Sequence, residues 1–346
     1  MKNRAAFMVG IDKMEIREID MPTPKFGEVL VKLEYVGICG SDVHYFSDGR
    51  CGDYVIEGDF ILGHECAGTV VELGEGVSTH KIGDRVALEP GLTCGQCEFC
   101  KSGRYNICPN LAFLATPPVQ GGFKNYIAYP ANMAFRLPEN ISTQTGAFVE
   151  PLAVGLNATD MGNVKVGDSV LILGAGCIGL VILLACRAYG ASDITIVDVV
   201  PNRLEVARQL GATHTINASE TDVFAEIDKI SNNAGVDKVF EAAGYPATIA
   251  QTPHFVKRGG TIVLVGIAAQ EEISYNFAKI MAKEIKIVSS LCSCNKYPQT
   301  ISALSKGVID ISGISTNIFD FDDIQNAFEC VTSNKDNIIK AMIKIS

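Results

Sequence analysis

Residues 169–289 constrain this chain more than any other stretch. Ser169–Leu173 (SVLIL) is a wholly apolar strand signal, and Gly174-Ala175-Gly176-Cys177-Ile178-Gly179 follows it directly. A helical run covers 178–189, and a second apolar strand, 194–197 (ITIV), ends at Asp198. An amphipathic helix at 202–210 stops at Gly211, and further strands are predicted at 213–217, 236–241, 261–266 and 285–289. Apolar strands alternating with helices must be covered on both faces, which is the pattern of a parallel sheet. Six of them predict a doubly wound, Rossmann-type α/β fold.

The glycines specify what that fold carries. Gly174 permits the tight turn, Gly176 removes a side chain where a pyrophosphate must approach, and Gly179 lets helix and strand pack closely. Cys177 and Ile178 open the helix, whose free N–H groups favour an anion. A bare strand-to-helix turn would explain the glycines but not their combination with Asp198. That carboxylate sits where ribose hydroxyls are bound and would repel a 2′-phosphate, so NAD is expected over NADP. Arg203 could stack on adenine or reach a phosphate.

The chain up to about residue 150 reads differently. Short strands at 29–35, 68–73 and 84–88 lie between turns at Gly63, Gly74, Gly76 and Gly83, predicting a compact, barrel-like β domain. After residue 292 helices are predicted at 298–306 and 322–332, and a strand at 340–345 should return to the first domain. The expected division is 1–151 with 293–346 as a β-rich catalytic domain, and 152–292 as the nucleotide domain.

Bulk properties exclude several functions. A formal net charge of −10 without a Lys/Arg run argues against nucleic acid. The most apolar stretch, 169–188, is interrupted by three glycines of the turn and by Arg187, so no membrane span is expected. Residues 1–9 lack the apolar run of a secretory signal, and the cytoplasm is the expected compartment. There the 12 Cys should serve metal binding or burial rather than disulfides. Cys177 and Cys186, in apolar runs, read as small buried hydrophobes.

Cys94, Cys97, Cys100 and Cys108 are spaced to wrap one tetrahedral zinc, with Gly95 and Gly103 supplying turns. Four sulfurs leave no open position, so the site should be structural; an iron–sulfur cluster or four unrelated thiols are the alternatives. A second set is dispersed: Cys39 in residues 37–45 (GICGSDVHY), His64 and Glu65 in 63–65 (GHE), and Glu150 in 149–151 (VEP). One thiolate, one imidazole and one or two carboxylates make a catalytic-type zinc sphere with room for water or substrate. Singly, Cys39 could be a core thiol and the two Glu surface acids, so spacing leaves both readings open.

These segments, with Gly49-Arg50, 83–86 (GDRV), 115–118 (ATPP), 150–152 (EPL) and the Gly174 turn, resemble the zinc-containing medium-chain alcohol dehydrogenases over nearly the whole chain. Within that family the chain is similar to the polyol branch, the sorbitol (L-iditol) and xylitol dehydrogenases. The resemblance implies a GroES-like catalytic domain beside the Rossmann domain, with the active site in a cleft between them. It implies that Cys39, His64 and Glu65 bind a catalytic zinc, with Glu150 a fourth ligand or the holder of a zinc-bound water. Ser41 and His44 would relay the alcohol proton, and Tyr45, Phe113 and Thr116 would line the substrate pocket. It further implies two zinc ions per chain, NAD, a polyol oxidised to a ketose, and a homotetramer.

One stretch departs from the pattern. Polyol dehydrogenases usually carry an Arg-Tyr pair just after the last strand of the nucleotide domain, where this chain has Leu291-Cys292-Ser293-Cys294-Asn295. Sorbitol itself is therefore in question. The rivals are a threonine 3-dehydrogenase, a simple secondary-alcohol dehydrogenase, and a non-catalytic NAD sensor or structural homologue; the intact zinc set argues against the last.

Overall fold

The structure, a computed structural model, describes residues 2–268, 270, 272–314, 316–333 and 337–346. The chain divides into two compact units: residues 1–150, 297–306 and 316–346, and residues 151–296 with 307–315.

The first unit is built on a seven-stranded sheet. Its path runs Ala134–Arg136, Arg85–Leu88, Glu65–Leu73, Glu28–Ile38, Lys340–Lys344, Thr316–Asp320, with Tyr126–Pro130 also pairing to Glu28–Ile38. Glu28–Ile38 is central, with seven of its 11 positions buried, Val29, Val31, Leu33 and Val36 completely. The last strand does return to this domain, pairing antiparallel with Glu28–Ile38. Two pairings set the site. Gly37 lies opposite Glu65, and Ile38 lies opposite Ala341. Cys39, His64 and Lys340 are therefore carried to the same end of three adjacent strands.

The second unit is the expected six-stranded parallel sheet. Its order is His214–Asn217, Asp193–Asp198, Ser169–Leu173, Val236–Glu241, Val256–Leu264, Lys286–Ser289. Strand order reverses at Ser169–Leu173, which places the turn that follows it at the switch point where such sheets bind ligands. The helix Cys177–Ala188 follows it and is apolar on all sides, with Leu180, Val181, Ile182, Leu183 and Leu184 each buried and each contributing roughly 1.5–3 kcal/mol.

Three local expectations need correction. The strand predicted at 261–266 begins at Val256, because Gly259, at φ +71°, lets the chain bulge without leaving the sheet. The helix predicted at 322–332 starts as a 3-10 turn, Phe321–Asp323, and becomes α-helical at Ile324. Cys186 is buried as expected, but Cys177 is only partly so, since it is the first residue of its helix, at the switch point.

Candidate active site and metal centres

The end of the central strands holds a compact donor cluster. One ligand atom each from Cys39, His64 and Glu65 lie within 4.8 Å of one another. Cys39 caps the helix Gly40–Asp48, and its N–H donates to Asp42 Oδ2 at 2.9 Å. The other oxygen of Asp42 accepts from the Gly63 N–H at 2.9 Å and lies 3.9 Å from His64 Nδ1. Asp42 is fully buried, so one carboxylate ties the thiol-bearing turn to the segment that carries His64 and adds a negative charge beside the imidazole. Glu65 Oε2 forms a buried ion pair with Lys340, whose ammonium also donates to the Ile38 carbonyl at 3.1 Å. A Cβ at position 37 would lie 1.8 Å from Glu65 Oε2, so only glycine admits this carboxylate.

Glu150 stands outside that mutually close group. It is buried in the first turn of Val149–Met161 and feels the charges of His64 and Glu65. Burial pushes its carboxyl up to about 7, opposed by His64. Burial disfavours a charged His64, yet Cys39 and Asp42 overcome it and raise the imidazole to about 10. The site thus concentrates negative charge around one imidazole, and a thiolate, imidazole and carboxylate in reach of one point form a donor set that fits zinc.

The surrounding side chains have distinct chemistry. Phe113 meets His64 edge-on, ring centroids 5.4 Å apart. Tyr45 is buried and hydrogen-bonded to Thr116; burial pushes its hydroxyl up to about 12. Ser41 and His44 lie one turn apart on Gly40–Asp48; Ser41 is half-buried, while His44 is exposed and 3.4 Å from Asp48. All three predicted pocket residues therefore gather around the first turns that carry the donors.

The four-Cys loop forms a second cluster. Cys94 Sγ lies 3.5 Å from Cys108 and 4.0 Å from Cys100, and Cys97 Sγ is 3.8 Å from Cys108. Gly95 and Gly103, at φ +68° and +76°, make the turns. The backbone N–H groups of Gln96 and Cys97 lower the Cys94 thiol to about 6, which suits a thiolate ligand. The loop is anchored by Tyr105, whose hydroxyl donates to buried Glu89 at 2.7 Å.

In the second unit the dinucleotide turn has the required shape. Gly174 sits at φ +102°, and a Cβ on Gly179 would fall 1.8 Å from the Gly174 carbonyl. Beside Gly176 there is open space within 4 Å, and the helix N-terminus there has no side-chain cap. Asp198 accepts from the Ala175 N–H at 2.6 Å and from Val199 and Val200 at 2.8 and 2.9 Å, so it braces the turn as well as facing it. Arg203 lies 3.9 Å from Asp198.

Sequence reasoning missed Asp42, Lys340 and Glu89. Asp42 was readable as the third residue of a helix capped by Cys39; a lysine opening an apolar final strand was the signal for Lys340. Glu89 had no signal beyond a carboxylate next to a buried strand.

Residues 25–139 match the family model of the alcohol dehydrogenase GroES-like domain, and residues 177–306 that of the zinc-binding dehydrogenases. The chain belongs to the zinc-containing medium-chain alcohol dehydrogenases, and it is an oxidoreductase that depends on zinc and a nicotinamide cofactor. Its place is in the polyol branch. A sorbitol dehydrogenase of Bacillus subtilis (strain 168) is 42% identical over 98% of this chain and 96% of its own. An uncharacterised zinc-type alcohol dehydrogenase-like protein of Escherichia coli (strain K12) is 46% identical over all of both chains. A crystal structure of an Escherichia coli oxidoreductase/dehydrogenase of unknown specificity, involved in membrane biogenesis, superposes with a TM-score of 0.96 at 45% identity, covering both chains fully. Among the described residues no helix is long and apolar enough to cross a membrane.

Proposed function

We propose that this chain is an NAD-dependent polyol dehydrogenase, oxidising one secondary hydroxyl of a sorbitol- or xylitol-type sugar alcohol to a ketone. The observation that carries the reading is the cluster of Cys39, His64 and Glu65 donors with Phe113 against the imidazole and the Tyr45–Thr116 pair beside it. In this reading Cys39, His64 and Glu65 hold a catalytic zinc, with Glu150 a fourth ligand or the holder of a water. Cys94, Cys97, Cys100 and Cys108 hold a structural zinc, giving two per chain.

When bound, the catalytic zinc supplies Lewis acidity that lowers the pKa of a substrate hydroxyl, and NAD supplies the hydride acceptor. Ser41 would accept the hydroxyl proton while giving up its own towards exposed His44, three residues on along the same helix, which exchanges a proton with solvent. Tyr45 and Thr116 offer hydroxyls to the neighbouring hydroxyls of a polyol, while Phe113 covers the imidazole and keeps water off it. A site that hydrogen-bonds a substrate hydroxyl discriminates strongly against an analogue lacking it, which favours polyols over simple alcohols. Asp198 favours an unsubstituted ribose.

The test is a panel of sorbitol, xylitol, ribitol, galactitol, threonine and 2-butanol with NAD and with NADP, followed by absorbance of the reduced cofactor. A polyol should exceed 2-butanol in kcat/KM by about a hundredfold, and NAD should exceed NADP by about tenfold. Threonine or 2-butanol as best substrate, or a preference for NADP, would overturn the reading. The missing Arg at residues 291–295 leads us to expect that the best polyol is not sorbitol.

A further inference from the structure

Glu241 ends the strand Val236–Glu241 and is completely buried. None of the sequence motifs uses it. Its Oε1 accepts from the N–H groups of Ala243 and Gly244 at 3.1 and 3.0 Å and from the Thr248 hydroxyl at 2.7 Å. Its Oε2 accepts from Gly244 at 3.2 Å. Its backbone carbonyl accepts from both Val265 and Gly266 at 2.9 Å. One residue thereby ties the 242–248 turn to the 265–267 turn.

These turns pack backbone against backbone. A Cβ on Gly244, which sits at φ +71°, would lie 2.6 Å from the Ile267 carbonyl; one on Gly266 would lie 2.3 Å from the Gly244 nitrogen and 2.8 Å from Glu241 Oε2. A Cβ on Gly174 would lie 3.0 Å from the Ala243 nitrogen. The 242–244 turn is therefore wedged between the dinucleotide turn and the 265–267 turn, with Glu241 beneath. Burial pushes the Glu241 carboxyl up, while the Thr248, Gly244 and Ala243 donors pull it back. A carboxyl kept in such a place is costly unless its hydrogen bonds matter.

Sheet order gives the turns a place along the cofactor. Ser169–Leu173 has Asp193–Asp198 on one side and Val236–Glu241 on the other. Asp198 marks the adenosine side, so a dinucleotide with its pyrophosphate at Gly176 lays its second nucleoside on the Glu241 side. There Tyr245 and Ile267, 64% and 67% exposed, stand on the two turns that Glu241 joins.

We propose that Glu241 is a positioning residue for the nicotinamide half of the cofactor: it fixes both turns so that Tyr245 and Ile267 present an apolar face to the nicotinamide nucleoside. The proposal rests on the dinucleotide reading of the Gly174 turn and adds to it which residue shapes the second half-site. The test is calorimetric titration of the zinc-loaded full chain with NADH and with ADP-ribose, which lacks the nicotinamide. Glu241→Ala should weaken NADH at least about tenfold, and Thr248→Val, which removes the hydroxyl lying between Glu241 Oε1 and the Tyr245 carbonyl, about threefold. ADP-ribose should stay within about twofold for both, and Glu241→Gln, which keeps the Oε1 acceptor, should recover NADH to within about threefold of wild type. If Glu241→Ala does not fold, Thr248→Val and Glu241→Gln carry the test. Unchanged NADH binding, or equal losses for both ligands, overturns the proposal. Wild-type protein that binds neither ligand overturns the dinucleotide reading itself, and the proposal with it.

Discussion

The two donor clusters of the first unit are assembled in opposite ways. Cys94 to Cys108 is one continuous loop whose thiols are drawn together by two positive-φ glycines and a short helix, and three of its four Cys are only partly buried. Cys39, His64 and Glu65 come from the ends of separate segments, and His64 and Glu65 are buried. Asp42 and Lys340 hold this second set from outside, through hydrogen bonds and an ion pair to the sheet and the capped helix. On the proposed reading a loop with little core of its own would take its order from an ion it wraps, whereas the dispersed site has its order imposed by the strands. In that reading the first would be a means of folding and the second a place for chemistry, three donors leaving a coordination position free.

The comparison can be broken by changing each site separately. The largest effect is expected from Cys39→Ser, which should lower kcat/KM by about a thousandfold or more, because it removes a ligand of the Lewis acid. Its thermal midpoint should change little, since the surrounding hydrogen bonds remain. Full turnover by this variant after verified loss of one of the two ions would refute the mechanism.

Lys340→Met should come next. It strands the buried Glu65 carboxylate, and breaking such a pair costs about 3–5 kcal/mol. Chemical denaturation should register that loss together with weaker metal retention at the dispersed site. Stability equal to wild type would mean that Glu65 does not depend on Lys340. The smallest effect on catalysis belongs to Cys97→Ser, which should leave kcat/KM within about threefold at low temperature while lowering unfolding free energy by several kcal/mol, on the order of a structural zinc's share. Inactivation without destabilisation would erase the distinction between the two sites.

Legibility in the sequence followed the same division. The four-Cys loop could be read from spacing because its geometry is local. The Gly174 turn could be read because strand, glycines and Asp198 recur at fixed offsets, and the parallel sheet around it announced itself through continuous apolar strands. The dispersed set could be suspected from its donor types, but only the resemblance favoured it over unrelated residues, since spacing says nothing about which strand ends meet. What joins Cys39 to His64 is the register of Gly37 with Glu65, and what braces Glu65 is a lysine some 275 positions away, brought in by the pairing of Ile38 with Ala341. Non-local register of this kind leaves no periodic trace. Glu241 escaped notice for a related reason: a carboxylate at a strand end looks like a surface acid until the turns that close over it are seen.

On the proposed reading the chain carries two metal sites of different kinds. Zinc content per chain, measured by atomic emission on wild type, Cys39→Ser and Cys97→Ser after dialysis against a mild chelator, tests it most directly. About two ions are expected in the wild type and about one in each variant, with activity kept by Cys97→Ser and lost by Cys39→Ser. A single ion in the wild type, or loss of both from either variant, would contradict it.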